Sequence, residues 1–310
     1  MKPKKSTPKK FVPLELPKRL QNELADAPAL QPLELFTSVK HSVNLGDLIA
    51  SMGAIKKYYD VTKRKVKVLQ TVGTLAQYYQ GAVHPTQNEH GQHVCMNAKM
   101  WEQVKPLIES QYYIHSFEKY EGQEVNLDFD VIRGKTFVNL PHGMIQAWVS
   151  YAFPDLATDL SKPWIFIEGK TPKHIEKQIK GKVILNFTER YRGNVNLDYF
   201  YLKNYADDLV FAGTEREHFL FCNQWQLDIP RLQDNNFLEY AYAIRDCRFF
   251  FGNQSFGWNL AEAMKKPRTL EVCSFASNCQ PQVGEDSYGY FHQVGNEYYF
   301  RTLYNKTANK

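Results

Sequence analysis

The sequence predicts an α/β protein of two doubly wound domains facing a cleft, with a C-terminal β-hairpin. Three observations predict it. The chain has 310 residues, more than one small core needs, which suits two domains of about 100–200 residues each. Hydrophobic residues make up 43% and charged residues 23%, the balance of an ordinary globular protein. Short apolar runs alternate with helical patterns in two successive series, the signature of parallel sheets crossed by helices.

Residues 1–32 are rich in Lys and Pro and read as a flexible basic arm. The first domain is expected over 33–168. "LELFTSVKHS" reads as a strand, "VNLGD" as a turn and "LIASMGAIKKYYD" as a helix, with Leu48, Ile49, Met52 and Ile55 at helical spacing. "KRKVKVLQTVG" supplies a second strand, completing a β-α-β unit. "AKMWEQVKPLIES" reads as a helix that Pro106 distorts, "NLDFDVI" as a strand and "PHGMIQAWVSYAF" as a helix. "SKPWIFIEG" reads as extended chain and "TPKHIEKQIKG" as a linker helix.

The second domain is expected over 169–281. "KVILNFT", "DLVFAGT", "LDIPRLQ", "RFFFGNQ" and "RTLEVCS" read as its five strands. "LDYFYLKNYA", "EREHFLFCNQW", "NNFLEYAYAIRDC" and "SFGWNLAEAMKK" read as its helices, with Asn235 or Asn236 as an N-cap. In the extension 282–310, "YGYFHQVGNEYYFRTLY" alternates on both sides of "GN" and reads as the hairpin.

Charge and cysteines narrow the setting. The net charge of +5 lies entirely in the first ten residues, which hold five Lys; the rest has 33 basic and 33 acidic residues. The arm, with the basic segment Lys56–Lys67, could steer an anionic polymer such as DNA, although a solvated helix end and strand entry is the better account of that segment. No apolar run is long enough to span a membrane, and no apolar region follows the basic N-terminus as in a secretory signal. The five cysteines are scattered, with no CxxC pair, so a zinc site or disulfide framework is not expected and a cytoplasmic location is.

Ligands of open α/β sheets bind beyond the carboxyl ends of the strands. In the second domain those loops bring Arg190 and Arg192, Thr214, and the turn Gly252, Asn253, Gln254, Ser255 and Gly257. A helix start beside two arginines is a candidate phosphate seat. Neither domain has GxGxxG or GxxxxGK[ST], so the glycine signatures of NAD binding and P-loop chemistry are missing.

"NLGDLIASMGAIKKYY" and "DNNFLEYAYAIRDCRFFFGNQSFGWNLAEAMKKPR" resemble the two signatures of heptosyltransferase-like glycosyltransferases of the GT-B type. The matched motifs cover about a fifth of the chain. The resemblance implies two Rossmann-like domains, a nucleotide-sugar donor bound to the second and a hydroxyl acceptor bound to the first, with no metal or other cofactor. It implies that Asp47 faces the cleft as the base that takes the acceptor's proton; the same residue would also make an ordinary helix N-cap. His41 is the second base candidate. His142 and Trp148, with Tyr151 and Phe153 nearby, are candidates for the acceptor groove. Glu262, read as the second carboxylate of a Glu-x7-Glu pair whose first position is Gln254, would bind the donor's ribose. The chain departs from the family's turn, where an Asp and a later His are replaced by Gln254 and Asn259. The expected function is transfer of a sugar to a glycan, a lipid-linked sugar or a modified DNA base. The alternative is an inactive nucleotide- or glycan-binding module of the same fold.

Overall fold

Strand β1 (Ser38–His41) ends at the loop that opens helix α1 (Leu45–Thr62). The computed structural model describes residues 37–76, 86–134, 145–192, 196–276, 278–281 and 284–308, so the basic arm and His142 lie outside the described residues. Asn44 is the extended N-cap of α1, and the helix begins three residues earlier than its pattern suggests. Gly46 and Asp47 therefore belong to its first turn. The helix is small and apolar all round (Ala50, Ser51, Gly53 and Ala54 are buried beside Leu48, Ile49, Met52 and Ile55), as a helix covered on several sides must be. Lys63, in the left-handed conformation, ends it.

Strands β2 (Val66–Gln70), β3 (Ile114–Lys119) and β4 (Leu127–Asp128) complete a parallel sheet of order β3-β2-β1-β4. Helix α2 (Ala98–Glu109) joins β2 to β3; Asn97 caps it and Pro106 sits inside it. β3 is absent from the sequence reading. The expected helix at "PHGMIQAWVSYAF" shortens, within the described residues, to a 3-10 turn and α3 (Trp148–Ala152).

The chain then runs extended through residues 163–169 without joining a sheet, and both halves grip it. Trp164 N–H donates to Ala263 O at 2.9 Å, and its indole N–H to Ile49 O at 2.8 Å. Gln111 brackets Phe166, accepting from its N–H at 2.8 Å and donating to its carbonyl at 3.1 Å. Tyr113 donates to the Trp164 carbonyl, Tyr242 to that of Glu168, and Arg245 to those of Ile167 and Gly169.

After helix α4 (Lys173–Ile179) comes the second sheet: β5 (Val183–Asn186), β6 (Leu209–Phe211), β7 (Phe250–Asn253), β8 (Arg268–Glu271) and β9 (Ser287–Tyr290). It is parallel throughout, in the order β6-β5-β7-β8-β9. Its helices are α5 (Glu215–Trp225), α6 (Phe237–Asp246), α7 (Phe256–Ala263) and α8 (Gln293–Thr307). Alternate residues point to opposite faces. Ile184, Val210, Phe250 and Leu270 join a core shared with the first half through α1, α6 and α7. Val183, Leu185, Phe249 and Phe251 build a second, aromatic core under α5 and α8.

Three expectations for this half are corrected. "LDYFYLKNYA" contributes a 3-10 stretch (Phe200–Asp208), and "LDIPRLQ" contributes only an isolated bridge, Phe211 to Arg231. The C-terminal hairpin is replaced by β9, the fifth strand, and by helix α8. The "GN" read as a turn lies in the first helical turn. His292 Nδ1 accepts from Gly295 N–H at 3.0 Å, and the fully buried Asn296 donates to Asp198 O at 2.9 Å and accepts from the Tyr201 hydroxyl. Asn296, Phe300, Leu303 and Thr307 then recur at helical spacing on the buried side. No helix among the described residues is long and apolar enough to cross a membrane.

Candidate active site

In the second sheet the chain passes from β5 to β6 on one side and then crosses to β7 on the other side of β5, so a crevice opens beyond Asn186 and Asn253. Two buried asparagines shape it. Asn186 Nδ2 donates to Ala212 O at 2.5 Å, and its Oδ1 accepts from Ser255 Oγ at 2.6 Å. Asn253 clasps the backbone of Thr188, its Oδ1 accepting from the N–H and its Nδ2 donating to the carbonyl, both at 2.8 Å. That side chain extends the strand pairing past the sheet and fixes the loop that carries Arg190.

The start of α1 faces this crevice. Asp47 is the third helical residue, with Asn44 Nδ2 at 3.4 Å from its Oδ2. α1 and α7 meet closely here: a Cβ on Gly46 would lie 3.0 Å from Asn259 Nδ2. Between them is a cavity of about 130 Å³ whose lining includes Asn44, Asp47, Arg190, Gln254, Ser255 and Asn259. A carboxylate from one half and an arginine from the other thus share one space. Of the residues expected to act, Asp47, Arg190, Gln254 and Ser255 are brought together.

The others are placed elsewhere. Arg192 turns into the aromatic core, its guanidinium 5.2 Å from the Phe187 ring centroid and its Nε 3.2 Å from the fully buried Glu271. Glu262 is fully buried on α7 and ion-paired with Arg268 and Lys265, so it is not available to a ribose. Thr214 forms the capping box of α5 with Glu217. His41 is buried at the end of β1, with Nδ1 3.5 Å from Asp130 and its ring edge-on to Phe129, and it does not line the cavity. Burial works to raise the Asp130 carboxyl, but hydrogen bonds from His41, Ser42 N–H and Lys40 outweigh it and hold it well below the usual carboxylate range. Trp148 is buried in the shared core rather than set in a groove.

Ser255 also differs from the open phosphate seat expected of it. Its hydroxyl donates to Asn186 and accepts from Trp258 N–H at 3.1 Å, as the N-cap of α7. The turn's glycines answer to packing. A Cβ on Gly257 would lie 2.2 Å from the Tyr240 hydroxyl, and one on Gly252 would lie 2.2 Å from the Asn186 carbonyl oxygen. The second obstacle is backbone in a paired strand and cannot swing away. Gly252→Ala is therefore expected to lose about 3 kcal/mol of stability by overpacking, read as a lower urea midpoint. A midpoint equal to wild type would show that β5 and β7 can spread.

In the basic segment Lys56–Lys67, Arg64 and Lys65 are exposed, while three other cations are engaged. Lys56 pairs with Asp60 at 2.6 Å and Lys67 with Glu118 at 3.2 Å, and Lys63 lies over the Tyr59 ring. Sequence reasoning missed Asn44, Asn278 and Cys279 at the cavity; the last two come from an irregular stretch that no pattern marks. Burial pushes the Cys279 thiol well above its usual range. Among the described residues no group of three or more His, Cys, Asp or Glu could hold a metal ion.

No family model and no curated protein matches the chain. Among solved structures, the ADP-heptose lps heptosyltransferase II of E. coli is similar with a TM-score of 0.50 at 10% identity, over 88% of this chain and 99% of that one. A glycosyl transferase family 9 protein from Veillonella parvula DSM 2008 gives 0.48 at 10% identity, over 87% and 88%. E. coli heptosyltransferase WaaC with ADP gives 0.42 at 11% identity, over 87% and 98%. The heptosyltransferase-like resemblance of the two motifs is borne out at the level of fold: this chain, with its two parallel sheets, shares the fold of heptosyltransferase II.

Proposed function

We propose that the protein is a nucleotide-sugar-dependent glycosyltransferase that transfers a sugar to a hydroxyl acceptor on a glycan or lipid-linked sugar. The observation that carries the reading is the cavity shared by Asp47 and Arg190 on a fold held in common with a heptosyltransferase. The first half binds acceptor, the second binds donor, and the space between them is the reaction cleft. Asp47 accepts the proton of the acceptor hydroxyl as its oxygen attacks the anomeric carbon. The bond from that carbon to the phosphate oxygen breaks, and the nucleoside diphosphate leaves with the electron pair, its charge held by Arg190. The reading invokes no metal or other cofactor. It sets the reaction in the cytoplasm, in keeping with five free cysteines.

The test is release of nucleoside diphosphate across a panel of nucleotide sugars, ADP-linked sugars first because the heptosyltransferase neighbour is named for ADP-heptose. Turnover with one donor is expected. Nucleotide binding without turnover under any acceptor would mark the non-catalytic module instead, and no nucleotide binding at all would remove the transferase reading.

Arg190→Ala is expected to raise the donor KM roughly ten- to a hundredfold, the worth of one charge-assisted contact, with a smaller change in kcat. An unchanged KM in the folded variant would mean that the 188–192 loop does not touch donor.

A further inference from the structure

Two carbonyl oxygens at the cavity have no hydrogen-bond donor among the described residues: Asn259 Oδ1 and Gln254 Oε1. Their residues are 3% and 4% exposed, so water does not compensate them freely. Buried acceptors are nearly always paired in folded proteins, and an unpaired one asks for an explanation.

The orientation of Asn259 is fixed by chemistry. Its Nδ2 donates to the Ser255 carbonyl at 3.0 Å, which can only accept, so Oδ1 is the atom left for the cavity. Asn259 is also not needed to complete the helix. The Ser255 carbonyl already accepts from the Asn259 backbone N–H at 3.1 Å. Gln254 Nε2 is engaged by Asn278 Oδ1, which leaves Oε1 over. Asp47 adds a carboxylate to the same lining, and Arg190 is the cation there.

A diphosphate carries only acceptor oxygens at neutral pH. Set against Asn259, Gln254 and Asp47, it would pair none of them. A carboxylated sugar would add a charge against three oxygens. Hydroxyl groups are the complement, since each offers an O–H to one amide oxygen. At about 130 Å³ the space is also well below the roughly 300–1,000 Å³ of a pocket for a whole ligand, so it takes one part of a donor. We infer that Asn259 and Gln254 form a hydroxyl-reading wall that selects a neutral glycosyl group, while the donor's phosphates lie toward Arg190. This rests on the transferase reading of the same cavity and narrows it to uncharged sugars.

The test uses Asn259→Leu, which keeps the branching of the side chain and removes the amide. Three measurements on the full chain decide it: melting without ligand, affinity for nucleoside diphosphate against nucleotide sugar, and thermal shift with a neutral hexose against a hexuronic acid. The variant is expected to melt no lower than wild type, because an orphaned oxygen is removed from the interior. Its diphosphate affinity should be unchanged and its nucleotide-sugar affinity about tenfold weaker. Wild type should be stabilised by the hexose and not by the uronic acid, and the variant by neither. Equal loss for diphosphate and nucleotide sugar, a large drop in melting temperature, or a wild-type response to the uronic acid would each overturn the wall. Stabilisation of wild type by hexose, lost in the variant but with no nucleotide bound, would uphold the wall and sink the transferase reading. Wild type that responds to neither ligand class overturns both.

Discussion

Replacing Asp47 by Asn is expected to lower kcat by about 10²–10⁴ while nucleotide-sugar affinity persists, because the amide has the size of the acid but cannot accept the acceptor's proton. The structure sharpens the control on folding. Asn44, not Asp47, holds the N-cap position of α1 and makes no side-chain capping bond there, so the change removes no cap. What is lost is a negative charge in the first helical turn, worth about 0.3–1 kcal/mol. A variant that is folded and turns over normally would return Asp47 to a purely structural part. His41 is no substitute base, since it is buried against Asp130 and lines no part of the cavity.

Arg268→Met is expected to cost about 3–5 kcal/mol of stability by leaving the Glu262 carboxylate buried without its main partner. Both side chains are fully buried: Arg268 Nε donates to Glu262 at 2.7 Å, and the guanidinium also donates to Lys266 O at 2.8 Å. Lys265, a second partner, lies over the Trp164 ring at 5.0 Å, and burial lowers its pKa. Removing both charges with Glu262→Met and Arg268→Met should recover much of the loss, since a buried pair replaced by apolar groups of similar size is often neutral. Chemical denaturation of the two variants decides it. A loss of less than about 1 kcal/mol in the single variant would show that Glu262 is satisfied without Arg268.

The parts of the fold legible in the sequence are those whose signals are local. Helix α5 has the bounds its sequence predicts because Thr214 and Glu217 form a capping box within four residues. β5 and β7 are plain because both faces of each are buried and apolar. β3 was missed because "IHSFEK" mixes His115, Ser116, Glu118 and Lys119 with two buried residues; its pairing with β2 makes it a strand. The tail was misread for the same kind of reason: the partners that draw Asn296 inward, Asp198 and Tyr201, lie about a hundred residues away.

The site divides likewise. Asp47, Arg190, Gln254 and Ser255 share one cavity lining because the strand ends and helix starts that carry them converge there. Arg192 and Glu262 were misassigned because the charges that hold them, Glu271 and Arg268, are both on β8, and no spacing rule connects a loop arginine to a distant strand.

The grip on residues 163–169 bears on how such a molecule could be recombined. A chimera joining the first half of this chain to the second half of another would have to carry across two sets of fastenings. Gln111, Tyr113 and the Ile49 carbonyl belong to one parent, and Tyr242, Arg245 and the Ala263 carbonyl to the other. A crossover between Phe166 and Ile167 would leave Trp164 and Phe166 with their fastenings in the first half, and Ile167, Glu168 and Gly169 with Tyr242 and Arg245. The productive exchange point lies there, between Phe166 and Ile167, where the bonds that still cross it, from the Trp164 and Ile165 N–H groups, end on the Ala263 backbone carbonyl.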